Sequence, residues 1–151
     1  MTLTATGTVI VRATPQEVLE FVCDLDRYRQ VDTKIVRVIE RCDLTESDRG
    51  TAPYRGRLRG IPSPVDSNDV HLTRWSRVDF TGSPASWVRR LVDFHGWFAC
   101  EPADVGTSVT HSEQFGFHRP GRWLMEPWLR TWLDDDLADE LKRLAAALDR
   151  A

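Results

Sequence analysis

The sequence predicts an α+β fold in which an antiparallel sheet of about six strands curls around one long C-terminal helix. Two observations predict it. Between residues 35 and 117, stretches with the two-residue period of strands alternate with turn-forming segments. Near the C-terminus, leucine recurs at the spacing of a helix. The chain of 151 residues has the length of one domain, so residues 1–151 are expected to share a single core.

The first predicted elements are a strand and two short helices. Residues 4–12 are rich in β-branched side chains and predict the strand. Thr14 is a suitable N-cap, Pro15 suits the first helical position, and Glu17 completes a capping box. A second short helix is expected at residues 26–31. The first helix has one apolar stripe, made of Val18, Phe21, Val22 and Leu25.

Five strands and the long helix complete the predicted order. The strands are expected at residues 35–44, 54–59, 70–80, 88–100 and 107–117. Turn residues cluster at 47–50, 61–64, 81–84 and 102–106. No helix-length segment separates the strands, so they are expected to pair as antiparallel hairpins. The helix has an apolar stripe made of Leu133, Leu137, Leu141, Leu144 and Leu148, and Pro127 is expected to bend or break its first turns.

This order of elements also predicts an interior space. A strongly curved sheet closed by a single helix has more concave surface than one helical stripe can fill. The remaining volume becomes either packed core or a pocket for a small molecule.

Three short segments carry a resemblance to a known family. They are ATPQEV at 13–18, VCDLDRY at 22–28 and GTSVT at 106–110. In this order, and followed by the leucine repeat, they make nearly the whole chain resemble the START-related helix-grip (SRPBCC) superfamily, in its polyketide cyclase/dehydrase-like branch. Members often have Trp shortly after the position of Tyr28, where this chain has Val31. The pocket wall is expected to differ there.

The resemblance implies a helix-grip fold with an internal hydrophobic cavity. It also implies ligands such as polyketides, lipids, sterols or plant-hormone-like molecules. It does not by itself imply catalysis, because the fold serves enzymes, carriers and sensors alike.

Strand parity predicts which side chains line the cavity. The even positions of 88–100 and the odd positions of 109–117 are the more apolar sets, so both are expected to face inward. The even positions of 70–80 are expected to form the facing wall. The candidate ligand-binding residues are therefore Arg74, Ser76, Arg90, Phe94, Phe98, His111, Glu113 and Phe115.

His111 and Glu113 are ionisable groups on an otherwise aromatic wall. Such groups are costly to bury unless they are paired or wetted, and they titrate abnormally. One interpretation is that they orient a ligand carbonyl or phenol, or act as catalytic acid and base in a cyclisation or dehydration. The alternatives are a core ion pair at the pocket mouth, or a twist that turns both residues to solvent.

Several other chemistries are disfavoured. The four histidines lack zinc-site spacing and the glycine motifs of nucleotide sites are missing, so neither a metal nor a cofactor is expected. A net charge of −3 with interspersed signs predicts no nucleic-acid partner. No apolar run approaches the ~20 residues of a membrane helix. Three scattered cysteines and an N-terminus unlike a signal peptide predict a cytoplasmic protein.

Other features receive structural interpretations. The alternating arginines of 55–59 are read as a solvated strand face, and the acidic run at 134–136 as the outer face of the helix. The apolar stretch 123–133 is expected to form core and pocket entrance, with a homodimer contact as the second choice. Only Lys34 and Lys142 are lysines among 20 basic residues, which we attribute to genome base composition.

Three functions therefore compete. The leading hypothesis is a carrier or binding protein for a small hydrophobic molecule that is polyketide-, lipid- or sterol-like. The second is a polyketide cyclase or dehydratase that uses His111 and Glu113 as acid and base. The third is a protein-interaction or regulatory module whose pocket is vestigial.

Overall fold

The computed structural model describes residues 2–149. We label its elements in chain order and treat one short 3-10 helix, Trp87–Arg90, separately. They are β1 Leu3–Val11, α1 Pro15–Cys23, α2 Leu25–Tyr28, β2 Ile35–Val38, β3 Arg49–Leu58, β4 Ile61–Thr73, β5 Arg77–Gly82, β6 Val92–Pro102, β7 Thr107–Phe117 and α3 Arg122–Asp149.

Seven strands of residues 2–149 form one sheet in the order β1-β7-β6-β5-β4-β3-β2. Every neighbouring pair is antiparallel. The sheet curves around α3, and the leucine stripe of α3 enters a core shared with β1, β7 and the two short helices. The α+β class and the grip of the sheet on a C-terminal helix are confirmed, with one strand more than expected.

The start of α1 matches the prediction. Thr14 is the N-cap, its hydroxyl accepts a hydrogen bond from the Glu17 amide, and the Glu17 carboxylate accepts one from the Thr14 amide. This reciprocal pair satisfies two amide donors that have no partner within the helix. The capping box therefore fixes where the chain leaves β1 and enters α1.

The prediction of one strand over residues 70–80 is wrong, because the chain reverses inside it. A tight turn at residues 74–76 separates β4 from β5, and the Ser76 amide donates to the Thr73 carbonyl at 2.8 Å. Leu72 and Val78 are cross-strand partners, so the same parity faces inward before and after the turn. The alternation of apolar and polar residues continues through the turn, so the sequence pattern does not reveal that the chain reverses there.

Several smaller boundaries also differ, and the strand expected at 54–59 begins at Arg49. The strand expected at 35–44 ends at Val38, and the strand expected at 88–100 begins with the 3-10 helix and starts at Val92. The turn expected at 61–64 lies one step earlier, at Arg59–Gly60, where both residues have positive φ. Pro62 can remain in β4 because the β3–β4 pairing is irregular between Arg55 and Arg57, beside it.

The helix α3 continues through Pro127 without ending. Leu129 and Leu133 are buried, Trp128 is half-buried, and Trp123 is 74% exposed. The stretch 123–133 therefore contributes core on one side and leaves its beginning open to solvent. Among the helices described here, none combines the length and the apolar character needed to cross a bilayer.

The turn between β6 and β7 sets the register of the two strands that carry His111 and Glu113. The Ala103 amide donates to the Gly106 carbonyl at 3.1 Å, and Gly106 has a φ of +81°. A Cβ at Gly106 would lie 2.0 Å from the Val11 carbonyl oxygen, whereas a Cβ at Gly60, also with φ +81°, would meet nothing within 4 Å.

We expect Gly106→Ala to destabilise the protein more than Gly60→Ala. Both substitutions place a side chain in the left-handed region, at a cost of about 1–2 kcal/mol. Only the first also forces a backbone contact apart, which adds about 1–3 kcal/mol. Urea unfolding of the two variants measures the difference, and equal losses would contradict the close approach at Gly106.

Candidate ligand cavity

A cavity of about 160 Å³ lies between the concave face of the sheet and the helices. Most of its wall is apolar. The phenylalanines that line it are Phe80, Phe94, Phe98, Phe115 and Phe117. Their rings contact one another, with Phe94 and Phe115 at a centroid distance of 5.0 Å. The wall on the sheet side is thus aromatic.

One end of the cavity is charged. We call the following seven residues the charged cluster: Tyr28, Asp32, Lys34, His111, Glu113, Asp136 and Glu140. All except Asp136 line the cavity directly. The cluster joins three parts of the chain, namely the segment around α2, the strand β7 and the helix α3.

The Lys34 ammonium lies at the centre of this cluster. Its Nζ atom is 2.9 Å from Asp32, 3.2 Å from Glu113, 2.8 Å from Asp136 and 2.9 Å from Glu140. An ammonium has three donors, so four carboxylates share them. Burial by itself lowers the pKa of Lys34, but the four carboxylates outweigh it and raise the pKa well above its usual value. Lys34 is therefore a cation at neutral pH.

His111 is held on both sides of its ring. Its Nδ1 atom is 3.0 Å from the Trp97 carbonyl oxygen, which orients Nδ1 as the donor. Its Nε2 atom lies 3.2 Å from Glu140 Oε1 and 3.5 Å from Glu113 Oε1, as an ion pair rather than a well-aligned hydrogen bond. The Phe98 ring stacks on the imidazole at 3.8 Å.

The pKa values of the cluster follow from burial and charge. Burial lowers the pKa of His111, but the carboxylates of Glu140 and Glu113 outweigh it and raise the pKa to about 10. Burial raises the pKa of Glu140, but Lys34 and His111 outweigh it and hold the pKa well below its usual range. His111 is consequently an imidazolium at neutral pH, paired with an ionised Glu140.

Asp32 behaves differently from Glu140. Burial and the neighbouring Glu140 raise its pKa to about 7, although Lys34 lowers it. Burial also raises the pKa of Tyr28 well above its usual value, and the Tyr28 hydroxyl donates to Glu140. At neutral pH the two cations Lys34 and His111 therefore face four carboxyl groups, of which Asp32 is partly protonated.

Local sequence explains how the cluster assembles. His111 and Glu113 are two residues apart on β7, so both point to the concave face. Glu140 follows Leu137 by three positions and precedes Leu144 by four, which places it on the buried stripe of α3. Glu140 thus interrupts a leucine stripe and brings a carboxylate to the sheet.

Five of the eight residues predicted to bind a ligand line the cavity: Phe94, Phe98, His111, Glu113 and Phe115. The predicted pairing of the inner faces also holds, since Phe94 pairs with Phe115 and Phe98 with His111. The acidic and basic residues expected on an aromatic wall, His111 and Glu113, are therefore on it, and both are buried. Whether they bind a ligand remains a prediction.

Arg74, Ser76 and Arg90 do not line the cavity. Arg74 and Ser76 are exposed in the β4–β5 turn, and Arg74 pairs with Asp48 at 2.6 Å. Arg90 is exposed in the 3-10 helix. Strand parity fails at these positions because the chain is not extended there.

Sequence reasoning missed Tyr28, Asp32, Lys34, Asp136 and Glu140. The interpretation of the acidic run at 134–136 was wrong for its last member, because Asp136 pairs with Lys34 while the first two residues are exposed. Two signals were available. Lys34 is one of two lysines in an arginine-rich chain, and Glu140 falls on the apolar stripe.

Two groups of the cluster have donor atoms within 4.8 Å of one another and could hold a metal ion. One is His111, Glu113 and Glu140, and the other is Asp32, Asp136 and Glu140. The Lys34 ammonium contacts carboxylates of both groups. Its positive charge already occupies the place that a cation would take in the second group.

We expect Lys34→Met to destabilise the protein strongly, because it leaves four buried carboxylates around one imidazolium. Removing one partner from a buried ion pair costs about 3–5 kcal/mol. The matched control is Lys142→Met, since Lys142 is the other lysine and is exposed. That variant should stay within about 0.5 kcal/mol of the parent in urea unfolding. A similar small change for Lys34→Met would contradict the ion-pair geometry.

We also expect stability to fall as pH rises above neutral. The pKa of His111 is about 10 in the folded protein against 6.5 for a free histidine, so between these values the folded state holds the extra proton. This contribution is complete below pH 6.5 and is lost towards pH 10, at about 1.4 kcal/mol per pH unit.

Urea unfolding between pH 7 and pH 7.5 measures this slope while free thiols, with a pKa of about 8.5, are still mostly protonated. The variant His111→Gln should flatten the slope whatever its absolute stability. An unchanged slope in that variant would rule out His111 as its source.

One family of known proteins matches almost the whole chain. The family model described as polyketide cyclase / dehydrase and lipid transport matches residues 2–149. No curated protein sequence matches the chain significantly.

Three solved structures illustrate the proteins that share this fold. The di-domain aromatase/cyclase StfQ of steffimycin biosynthesis has a TM-score of 0.75 at 9% identity. The match covers 99% of this chain and 51% of StfQ, so this chain spans about half the length of that protein. TTHA0849 from Thermus thermophilus has a TM-score of 0.74 at 15% identity, with 96% of each chain covered. The Zhui aromatase/cyclase from Streptomyces sp. R1128 has a TM-score of 0.72 at 13% identity, with 99% of this chain and 95% of that one covered.

At these identities the solved structures establish the fold, and the family match over residues 2–149 goes further. The chain belongs to the polyketide cyclase / dehydrase and lipid transport family.

Proposed function

We propose that this protein binds one small, largely apolar molecule in its interior cavity and acts as a binding protein or carrier. The observation that supports this proposal is the shape of the cavity, an aromatic hollow that ends on the charged cluster. Apolar walls with a few convergent polar groups are the usual character of small-molecule sites. The walls would bind the body of the ligand, and the cluster would orient its polar end.

The size of the cavity limits the ligand. An apolar cavity of about 150 Å³ in another protein accommodates a benzene molecule. With about 160 Å³, this cavity holds one aromatic ring or an equivalent volume. A sterol or a complete polyketide would keep most of its length outside, so we favour a single-ring molecule or the ring-shaped end of a longer one.

The cyclase or dehydratase alternative uses the same residues. His111 lines the cavity and carries a proton, so it is placed to act as an acid on a bound carbonyl. Efficient acid–base catalysis, however, favours a pKa near the working pH. A pKa of about 10 makes His111 a reluctant donor at neutral pH. This mismatch ranks binding above catalysis.

The proposal is tested with toluene as the ligand, because it matches the cavity in size and has no polar group. Wild-type protein at ten times the dissociation constant of toluene should gain about 1.4 kcal/mol of stability in thermal unfolding. The variant Val92→Trp should lose this gain because Val92 lines the cavity, and Leu91→Trp should keep it because Leu91 is 54% exposed.

The gain measured in all three proteins decides between the functions. If toluene does not stabilise wild type, or stabilises Val92→Trp equally, the cavity is not a ligand-binding site and the interaction module is favoured. Native mass spectrometry of the purified protein should show a retained small-molecule mass. Its conversion by wild type but not by His111→Gln would move the conclusion to the enzyme alternative.

A further inference from the structure

Two oxygen atoms at the cavity are buried hydrogen-bond acceptors without a donor. They are Glu113 Oε2 and Asn68 Oδ1, as far as residues 2–149 are concerned. The Asn68 side chain is already hydrogen-bonded to Tyr54, so Glu113 Oε2 is the stronger binding point. Glu113 is 2% exposed and Asn68 is 7% exposed, and both residues line the cavity. A buried acceptor left without a donor is unfavourable, so a bound molecule that brings a donor would satisfy Glu113 Oε2.

The charged groups around the cavity carry a net negative charge. The cluster contains four carboxyl groups and only two cations, Lys34 and His111. The other charged residues of the wall, Asp66 and Arg57, cancel one another. Even with Asp32 partly protonated, negative charge is in excess. Charges act strongly in a buried site, so this excess attracts a cation and repels an anion.

The aromatic wall also favours a positively charged ligand. Ring faces carry partial negative charge and attract ammonium groups within about 6 Å. Phe94 and Phe115 lie together on the sheet beside Glu113, whose strand position is opposite Gly96. The Phe94 ring lies over this glycine, since a Cβ at Gly96 would be 2.9 Å from Phe94 Cζ, so an aromatic face borders the carboxylate. The ring and the ammonium of one small ligand would therefore both meet complementary surfaces.

We propose that the ligand of this cavity is a single-ring aromatic amine, bound as its ammonium ion with an N–H group on Glu113 Oε2, and that the cavity rejects carboxylates. This inference rests on the proposed function, because it requires a molecule in the cavity. It separates this site from one for fatty acids or other acidic apolar molecules.

Four probes of nearly equal size test the proposal: benzylamine, benzyl alcohol, toluene and benzoate. Isothermal titration calorimetry at pH 7 gives their dissociation constants. Benzylamine should bind tightest, with benzyl alcohol about tenfold weaker because it lacks the charge. Toluene should be weaker again, and benzoate should show no measurable binding.

Two variants locate the recognition. Glu113→Gln keeps the shape and removes one charge, so it should weaken benzylamine about tenfold and change benzyl alcohol less than about threefold. The matched control is Asp66→Asn. It also removes a cavity carboxylate, but Asp66 Oδ1 already accepts from the Ser86 hydroxyl at 2.7 Å and the Ser67 amide at 2.8 Å. Its effect on benzylamine should stay below about threefold.

The possible results distinguish a failure of the amine proposal from a failure of the proposed ligand-binding function. Binding of toluene or benzoate as tight as that of benzylamine would overturn the amine proposal while leaving a ligand-binding cavity. Equal effects of Glu113→Gln and Asp66→Asn would overturn the role of Glu113. Failure of all four probes would remove the proposed function itself. If Glu113→Gln does not fold, the order of the four probes on wild type decides alone.

Discussion

The contact of one ammonium with four carboxylates organises this molecule. Lys34 joins a loop residue, Asp32, to β7 through Glu113 and to α3 through Asp136 and Glu140. Each of these carboxyl groups would be costly to bury alone, and all four share the Lys34 cation, which His111 supplements at Glu113 and Glu140. The position of the long helix against the sheet therefore depends on charge as well as on leucine packing.

This arrangement also explains why a cavity exists. The leucine stripe of α3 would fill more of the space over the concave sheet if it were continuous, since core side chains normally pack without voids. Glu140 occupies a position on that stripe, and His111 and Glu113 occupy two positions on the opposing strand. Three polar side chains thus replace apolar ones that would have interdigitated, and the space beyond them remains open as the aromatic hollow.

Local patterns predicted the parts of the fold that local physics determines. The capping box at Thr14, the extent of β7 and the parity of His111 and Glu113 all depend on residues close in sequence. The β4–β5 reversal did not show itself, because Leu72 and Val78 keep the same parity across it. The cluster could be predicted only in part. Its other members come from distant segments, and the partners Lys34 and Glu140 are 106 residues apart.

The free-energy cost of burying the charged cluster is evidence about its role. A buried ion network is often no more stable than an apolar core of the same volume, so stability alone gives little reason to maintain this one. What an apolar core cannot provide is a charged end to an apolar space. The cluster has more carboxyl groups than cations and leaves Glu113 Oε2 without a donor in residues 2–149. These two features are unfavourable for folding and favourable for binding a donor, which is why we propose ligand recognition as a second role of the cluster beside its role in the fold.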